Sequence, residues 1–190
     1  MSEKRLFSGI DIGSRTCKGV IIDENKKILA YDLRKTGLDS KRVAEKSLKK
    51  MLAEIDFDKD NIRYTVSTGY GRSNVDFAKE EITEISCHAR GAIHLFPGIR
   101  GLIDIGGQDS KVISLNKSGK IIDFSMNDKC AAGTGKFMET MGVTLNLSLD
   151  QISQLGLHSN EIVDISNVCT VFAESEVINH VHNGESKEAI

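Results

Sequence analysis

The chain has 190 residues, 27% of them charged, with a formal net charge of −2. That balance gives no electrostatic footprint for a polyanion and argues against nucleic acid or an anionic membrane as partner. No apolar run approaches the ~20 residues that span a bilayer, and the start, Met1-Ser2-Glu3-Lys4-Arg5, has no leader-like apolar region, so a cytoplasmic location is expected.

The first apolar run, from Leu6 to Ile10, enters Asp11-Ile12-Gly13-Ser14. Val20-Ile21-Ile22 reads as the return strand, a turn falls between Asp23 and Lys27, and a third run covers Ile28 to Tyr31. Short runs punctuated by Gly and Asn are expected to form an antiparallel three-stranded meander. Ser40 is placed to cap a helix whose stripe is Val43, Leu48, Met51, Leu52 and Ile55, near the 3.6-residue period. A strand over residues 62–67 leads into Thr68-Gly69-Tyr70-Gly71-Arg72, where Tyr70 and Arg72 are candidates for positioning the loop, and a helix is expected over residues 87–96.

The pattern then restarts. Leu102 and Ile103 enter Asp104-Ile105-Gly106-Gly107, Val112-Ile113 return, a turn spans Asn116 to Lys120, and Ile121 to Phe124 form the third run. A helix is expected over residues 133–141, a short one capped by Ser148 and ending at Gly156, a strand over residues 169–173, and a final helix to about His182 stopped by Gly184. A lysine follows the aspartate by seven positions in both copies, Asp11 with Lys18 and Asp104 with Lys111. The chain therefore reads as a duplicated βββαβα α/β protein, with halves at residues 1–96 and 97–190.

A single Asp-x-Gly at a hairpin is ordinarily only a turn; two copies at matched spacing reverse that reading. Glycine allows backbone N–H groups to approach phosphate oxygens, and hydroxyl or cationic side chains add donors. Gly13, Ser14, Arg15, Thr16 and Lys18 are assigned to phosphate contacts in the first loop, and Gly106, Gly107 and Gln108 in the second. Asp11 and Asp104 are candidates to hold hydrated Mg²⁺, which uses few carboxylates and keeps its waters. Gln108 or Asp109 is placed to orient an attacking water.

Four cysteines, Cys17, Cys87, Cys130 and Cys169, are scattered through a chain too large to need a disulfide framework, and read as buried thiols, metal ligands or redox groups. Cys130 lies in Asn127-Asp128-Lys129-Cys130-Ala131-Ala132-Gly133-Thr134-Gly135, and Cys169 in Asn167-Val168-Cys169-Thr170-Val171-Phe172-Ala173-Glu174-Ser175-Glu176. Each precedes an expected helix, whose free N–H groups favour a thiolate. Cys17, in the phosphate loop, and Cys87, in an expected helix, are read as structural. The five histidines show no metal-ligand spacing and are read as surface or helix-terminal residues.

These blocks, with Ser86-Cys87-His88-Ala89-Arg90-Gly91-Ala92, resemble the activator ATPases of (R)-2-hydroxyacyl-CoA dehydratases, in the wider family that includes the benzoyl-CoA reductase ATPase subunits. The resemblance runs from about residue 6 to the end. It implies the actin, sugar-kinase and Hsp70-like (ribonuclease H-like) fold, ATP as ligand, and a phosphate approach at Gly133, Thr134 and Gly135. It also implies Cys130 and Cys169 as ligands of a 4Fe–4S cluster. Four thiolates are the usual complement, so two per chain imply a cluster shared across a homodimer. The implied function is ATP-dependent electron donation to a dehydratase. The alternatives are service to another iron–sulfur reductase such as a benzoyl-CoA reductase, a truncated non-catalytic module, or a small-molecule kinase. Members of this kind continue past the position of Ile190 into a glycine-rich adenosine segment, so the expectation for these 190 residues is a truncated second half with weakened adenine binding.

Overall fold

The computed structural model describes residues 5–127, 130–166 and 169–190. Met1 to Lys4, Asp128 and Lys129 of the first cysteine motif, and Asn167 and Val168 of the second lie outside the described residues. The chain divides into two units, Met1–Arg100 with Leu115–Ile121, and Gly101–Ser114 with Ile122–Ile190.

In the first unit the expected meander forms as β1 (Leu6–Ile12), β2 (Thr16–Asp23) and β3 (Ile28–Lys35). Leu6, Ser8, Ile10 and Ile12 alternate inward along β1, as strand periodicity requires. The Asp23 carboxylate accepts from the N–H groups of Asn25 and Lys27, both at 2.9 Å, and so builds the turn into β3. Helix α1 (Ser40–Glu54) follows, then β4 (Ile62–Thr68), the two-residue β5 (Glu80–Glu81) and α2 (Glu84–Leu95). The sheet order is β3-β2-β1-β4-β5, with β4 parallel to β1.

Helix α1 buries Ala44, Leu48, Met51 and Leu52 against Leu6, Ile10, Ile12, Cys17 and Ile21. Each fully buried Leu, Ile or Met contributes roughly 1.5–3 kcal/mol. Gly19 lets the helix press on bare backbone, since a Cβ there would lie 2.6 Å from both Met51 Cε and Ser47 Oγ. The cap differs from expectation. Asp39 accepts from Arg42 N at 3.0 Å, while the Ser40 hydroxyl instead takes a hydrogen bond from Asn74 Nδ2. Likewise α2 starts three residues before Cys87, because Thr83 is extended and Glu84 sits favourably in the first turn.

Asp32 is 4% exposed on β3. The Arg34 guanidinium, joined by Lys50 at 3.0 Å, overcomes desolvation and holds its carboxyl down from the usual 3.8 to about 2. Its stabilisation is present above the unfolded value and is lost as pH falls through the folded one. Asp32→Asn is therefore expected to cost about 2 kcal/mol at pH 7 and to flatten the loss of stability between about pH 4 and 2. Chemical denaturation at several pH values checks this; parallel pH profiles for both proteins would contradict it.

In the second unit, β6 (Gly101–Ile105), β7 (Ser110–Leu115) and β8 (Ile121–Asn127) form a sheet in the order β6-β7-β8; the first residue of β8, Ile121, and the last of β7, Leu115, fall with the other unit. Asn116 repeats the device of Asp23, its side-chain oxygen accepting from Ser118 N and Lys120 N at 2.9 Å each. Helices α3 (Gly135–Leu145), α4 (Leu149–Gly156) and α5 (Thr170–His182) follow. Ser148 caps α4 as expected, in a reciprocal capping box with Gln151. Helix α3 starts two residues later than expected because Gly133 has φ +74 and Thr134 is extended.

Residues 169–173 are not a strand. Cys169 is the N-cap of α5, and Ala173 and Val177, one helical turn apart, are the residues that α5 buries; Val177 packs with Met141 and Leu145 of α3. The local β-branched and aromatic run gives way to that tertiary packing. The whole is the actin-like, sugar-kinase-type α/β class read from the duplication. Among the described residues no helix is long and apolar enough to cross a membrane.

Candidate functional site

The seven-residue spacing of aspartate and lysine has a simple structural meaning. In the antiparallel hairpins Asp11 stands opposite Lys18 and Asp104 opposite Lys111. Lys18 Nζ lies 2.9 Å from Asp11 Oδ2, so the lysine assigned to phosphate rests on the aspartate. Lys111 is 2% exposed and lies 2.8 Å from Asp109 and 3.5 Å from Asp104. A buried ammonium costs several kcal/mol unless paired, which explains the second carboxylate at the more buried copy. Asp109, a candidate for orienting water, thus holds Lys111, and Gln108 is exposed on the loop.

Both turns are closed by the same hydrogen bond. Gly13 N donates to Thr16 O at 3.0 Å, and Gly106 N to Asp109 O at 2.8 Å. Ser14 and Arg15 at the first tip are exposed, and Gly13 and Thr16 half-buried. Thr36 braces this turn by donating its hydroxyl to Gly13 O and its N–H to Arg15 O. A third limb is the loop after β4. Thr68 stands in register beside Asp11, Gly71 N donates to Ile12 O at 2.8 Å, and Gly69 has φ +87. A Cβ on Gly69 would lie 2.3 Å from Asp11 Oδ1.

Gly69→Ala is accordingly expected to push the Asp11 carboxylate from its place. The strained backbone alone costs on the order of 1–3 kcal/mol. A lowered melting temperature together with weakened Mg²⁺-dependent nucleotide binding checks it, and unchanged binding would refute the contact. Arg72 donates to Gly69 O at 3.1 Å, whereas Tyr70 is exposed.

Gly133, Thr134 and Gly135 carry other contacts than a free helix start would. Thr134 is fully buried, and its hydroxyl donates to Ala131 O. Gly135 N and Lys136 N donate to Gly106 O and Gly107 O at 2.8 and 3.0 Å, so the first N–H groups of α3 are satisfied by the second turn. Cys130 is half-buried in the loop just before them, and one side chain frames it. Asn127 Nδ2 donates to Cys130 O at 3.0 Å and Ala132 O at 2.9 Å, while Cys130 N donates to Asn127 Oδ1 at 3.3 Å.

Cys169, also half-buried, heads α5, and α3 and α5 pack together. Both cysteines thus sit on the N-terminal approaches of a packed helix pair. The remaining two are placed differently. Cys17 is 0% exposed in the core of the first unit, and burial pushes its thiol up to about 11. Cys87 lies on α2 near Thr68 and Asp11, its thiol also raised chiefly by burial. Thiolate chemistry is disfavoured at both. Among the described residues no group of three or more His, Cys, Asp or Glu converges.

Thr36, Gly69, Ser110 and Asn127 escaped the sequence reading. Gly69 alone had a signal, in the Thr-Gly-Tyr-Gly run. The others act through pairings across 23, 23 and 3–5 residues that no periodicity announces.

A sequence model described as the BadF/BadG/BcrA/BcrD ATPase family matches residues 8–190. The chain is 46% identical over 182 residues to the activator of lactoyl-CoA dehydratase of Anaerotignum propionicum, covering 96% of this chain and 70% of that protein. Among solved structures, component A of the Acidaminococcus fermentans (R)-2-hydroxyglutaryl-CoA dehydratase superposes with a TM-score of 0.91 at 39% identity, over 97% of this chain and 71% of that one. The activator of the 2-hydroxyisocaproyl-CoA dehydratase from Clostridium difficile, with bound ADPNP, gives 0.89 at 40% identity, over 97% and 69%.

Proposed function

The chain belongs to the BadF/BadG/BcrA/BcrD ATPase family, and from that premise we propose that it is an ATP-dependent activator that donates an electron to a dehydratase acting on a 2-hydroxyacyl-CoA. The observation that carries the reading is the pairing of two identically closed Asp-Ile-Gly turns with two cysteines heading packed helices of one unit. With the Gly13 and Gly106 N–H groups closing the turns, the N–H groups of Ser14 and Arg15 and of Gly107 and Gln108 bind phosphate oxygens. Asp11 and Asp104 are the carboxylates that would hold hydrated Mg²⁺, and Lys18 and Lys111 hold those carboxylates in place. Gln108, exposed at the loop tip, orients the attacking water.

The residues suited to a 4Fe–4S cluster are Cys130 and Cys169, each half-buried and free of a disulfide. When bound, such a cluster supplies one-electron chemistry. With two thiolates per chain, a second copy completes the shell and makes the functional unit a homodimer.

Anaerobic purification followed by iron and sulfide analysis, light scattering and measurement of phosphate release tests the proposal. The expected result is a dimer holding about four irons in all, hydrolysing ATP and dissociating when chelator removes the iron. A full cluster on each monomer would refute the shared site. Phosphorylation of a metabolite by iron-free protein would favour a kinase.

A further inference from the structure

We infer that Ser110 is a positioning residue that couples phosphate occupancy of the second turn to the placement of the Cys130 loop, an inference that rests on the ATPase reading above. Each peptide unit is planar, so its N–H and its C=O reorient together. The Gly107 N–H belongs to the same peptide as the Gly106 carbonyl, and the Gln108 N–H to that of Gly107. Those two carbonyls hold Gly135 N and Lys136 N at the start of α3. An anion drawn to the Gly107 and Gln108 N–H groups therefore tilts the peptides that anchor the helix.

Ser110 closes the same circuit from β7, its hydroxyl donating to Gly133 O. Gly133, at φ +74, is the pivot between the anchored helix start and the residues ahead of it. Those residues move as one piece, because Asn127 clasps Cys130 and Ala132 while Thr134 locks Ala131. A displacement passed through Gly133 thus reaches the Cys130 backbone without being absorbed on the way.

Among the described residues the first repeat is tied differently. Its turn carbonyls at Gly13 and Arg15 accept from Thr36, just after β3, and Cys17, the counterpart of Ser110, faces the core. The duplicated turns have therefore diverged, and the second one carries the link.

Hydrogen–deuterium exchange of the full chain with and without Mg²⁺-ADPNP reads the coupling directly. In the unaltered protein the nucleotide is expected to slow exchange at residues 106–109 and, by about tenfold, at residues 130–136, within the range ordinary for coupled sites. Ser110→Ala is expected to keep the effect at residues 106–109 and lose it at residues 130–136, with Ser110→Thr restoring it. General loosening of the loop would raise exchange in both states alike and leave their ratio unchanged, which would overturn the inference. So would protection of residues 106–109 alone in the unaltered protein. Absence of nucleotide protection at residues 106–109 would overturn the ATPase reading first, and the coupling with it.

Discussion

Replacing either Cys130 or Cys169 by serine is expected to leave the anaerobically purified protein without iron, whereas Cys17→Ser and Cys87→Ser are expected to keep their full complement. Serine lacks the soft thiolate that iron–sulfur clusters select. The contrast between the pairs follows from their surroundings: Cys130 and Cys169 are half-buried at helix starts, while Cys17 is sealed in the core with its thiol pushed up to about 11. In the proposed shared site, losing one ligand per chain removes two of four from the dimer, so the expected effect is all or nothing. Iron and sulfide assays on the four variants decide it. Cluster content surviving in Cys130→Ser would sink the assignment, as would loss in Cys17→Ser without loss of fold.

The second large effect is expected at Asp11. Asp11→Asn keeps the side chain's shape and removes the charge proposed to orient the waters of Mg²⁺. It also leaves Lys18, 2.9 Å away, without its carboxylate. Metal-assisted stabilisation of phosphoryl transfer is worth several kcal/mol, so phosphate release should fall by at least about 100-fold at unchanged secondary structure. Steady-state phosphate release over a range of Mg²⁺ concentrations, with circular dichroism on the same samples, measures it. A rate within about threefold of the unaltered protein would show that Asp11 has no part in the reaction. Asp104→Asn is the informative companion, because Lys111 there keeps Asp109 at 2.8 Å and the fold stays paired.

Local chemistry was legible wherever a few neighbouring residues decide the outcome. The two hairpins, the Ser148 cap and the stop at Gly184, with φ +83, depend on contacts within a turn or on backbone freedom at one residue. Element edges were misjudged where a neighbour outcompeted the obvious residue, as Asp39 did Ser40. The one element assigned to the wrong class, residues 169–173, has the composition of a strand. Its helix is held by Val177 packing on Met141 and Leu145, more than 30 positions earlier.

The candidate site divides along the same line. The sequence by itself determined that two Asp-Ile-Gly turns recur with a lysine seven residues on, that Cys130 precedes a Gly-Thr-Gly run, and that Cys169 precedes a threonine. These are properties of residue type and short spacing, and such patterns survive in any fold that uses them. Only the tertiary structure decided what each group touches. Lys18 and Lys111 rest on the aspartates because strand register puts them opposite. Gly69 approaches Asp11 because β4 runs parallel beside β1. The first N–H groups of α3 go to the carbonyls of Gly106 and Gly107, nearly thirty positions earlier in the chain. A backbone carbonyl is the same in every residue, so no side-chain pattern specifies which N–H will find it; the packed chain makes that choice.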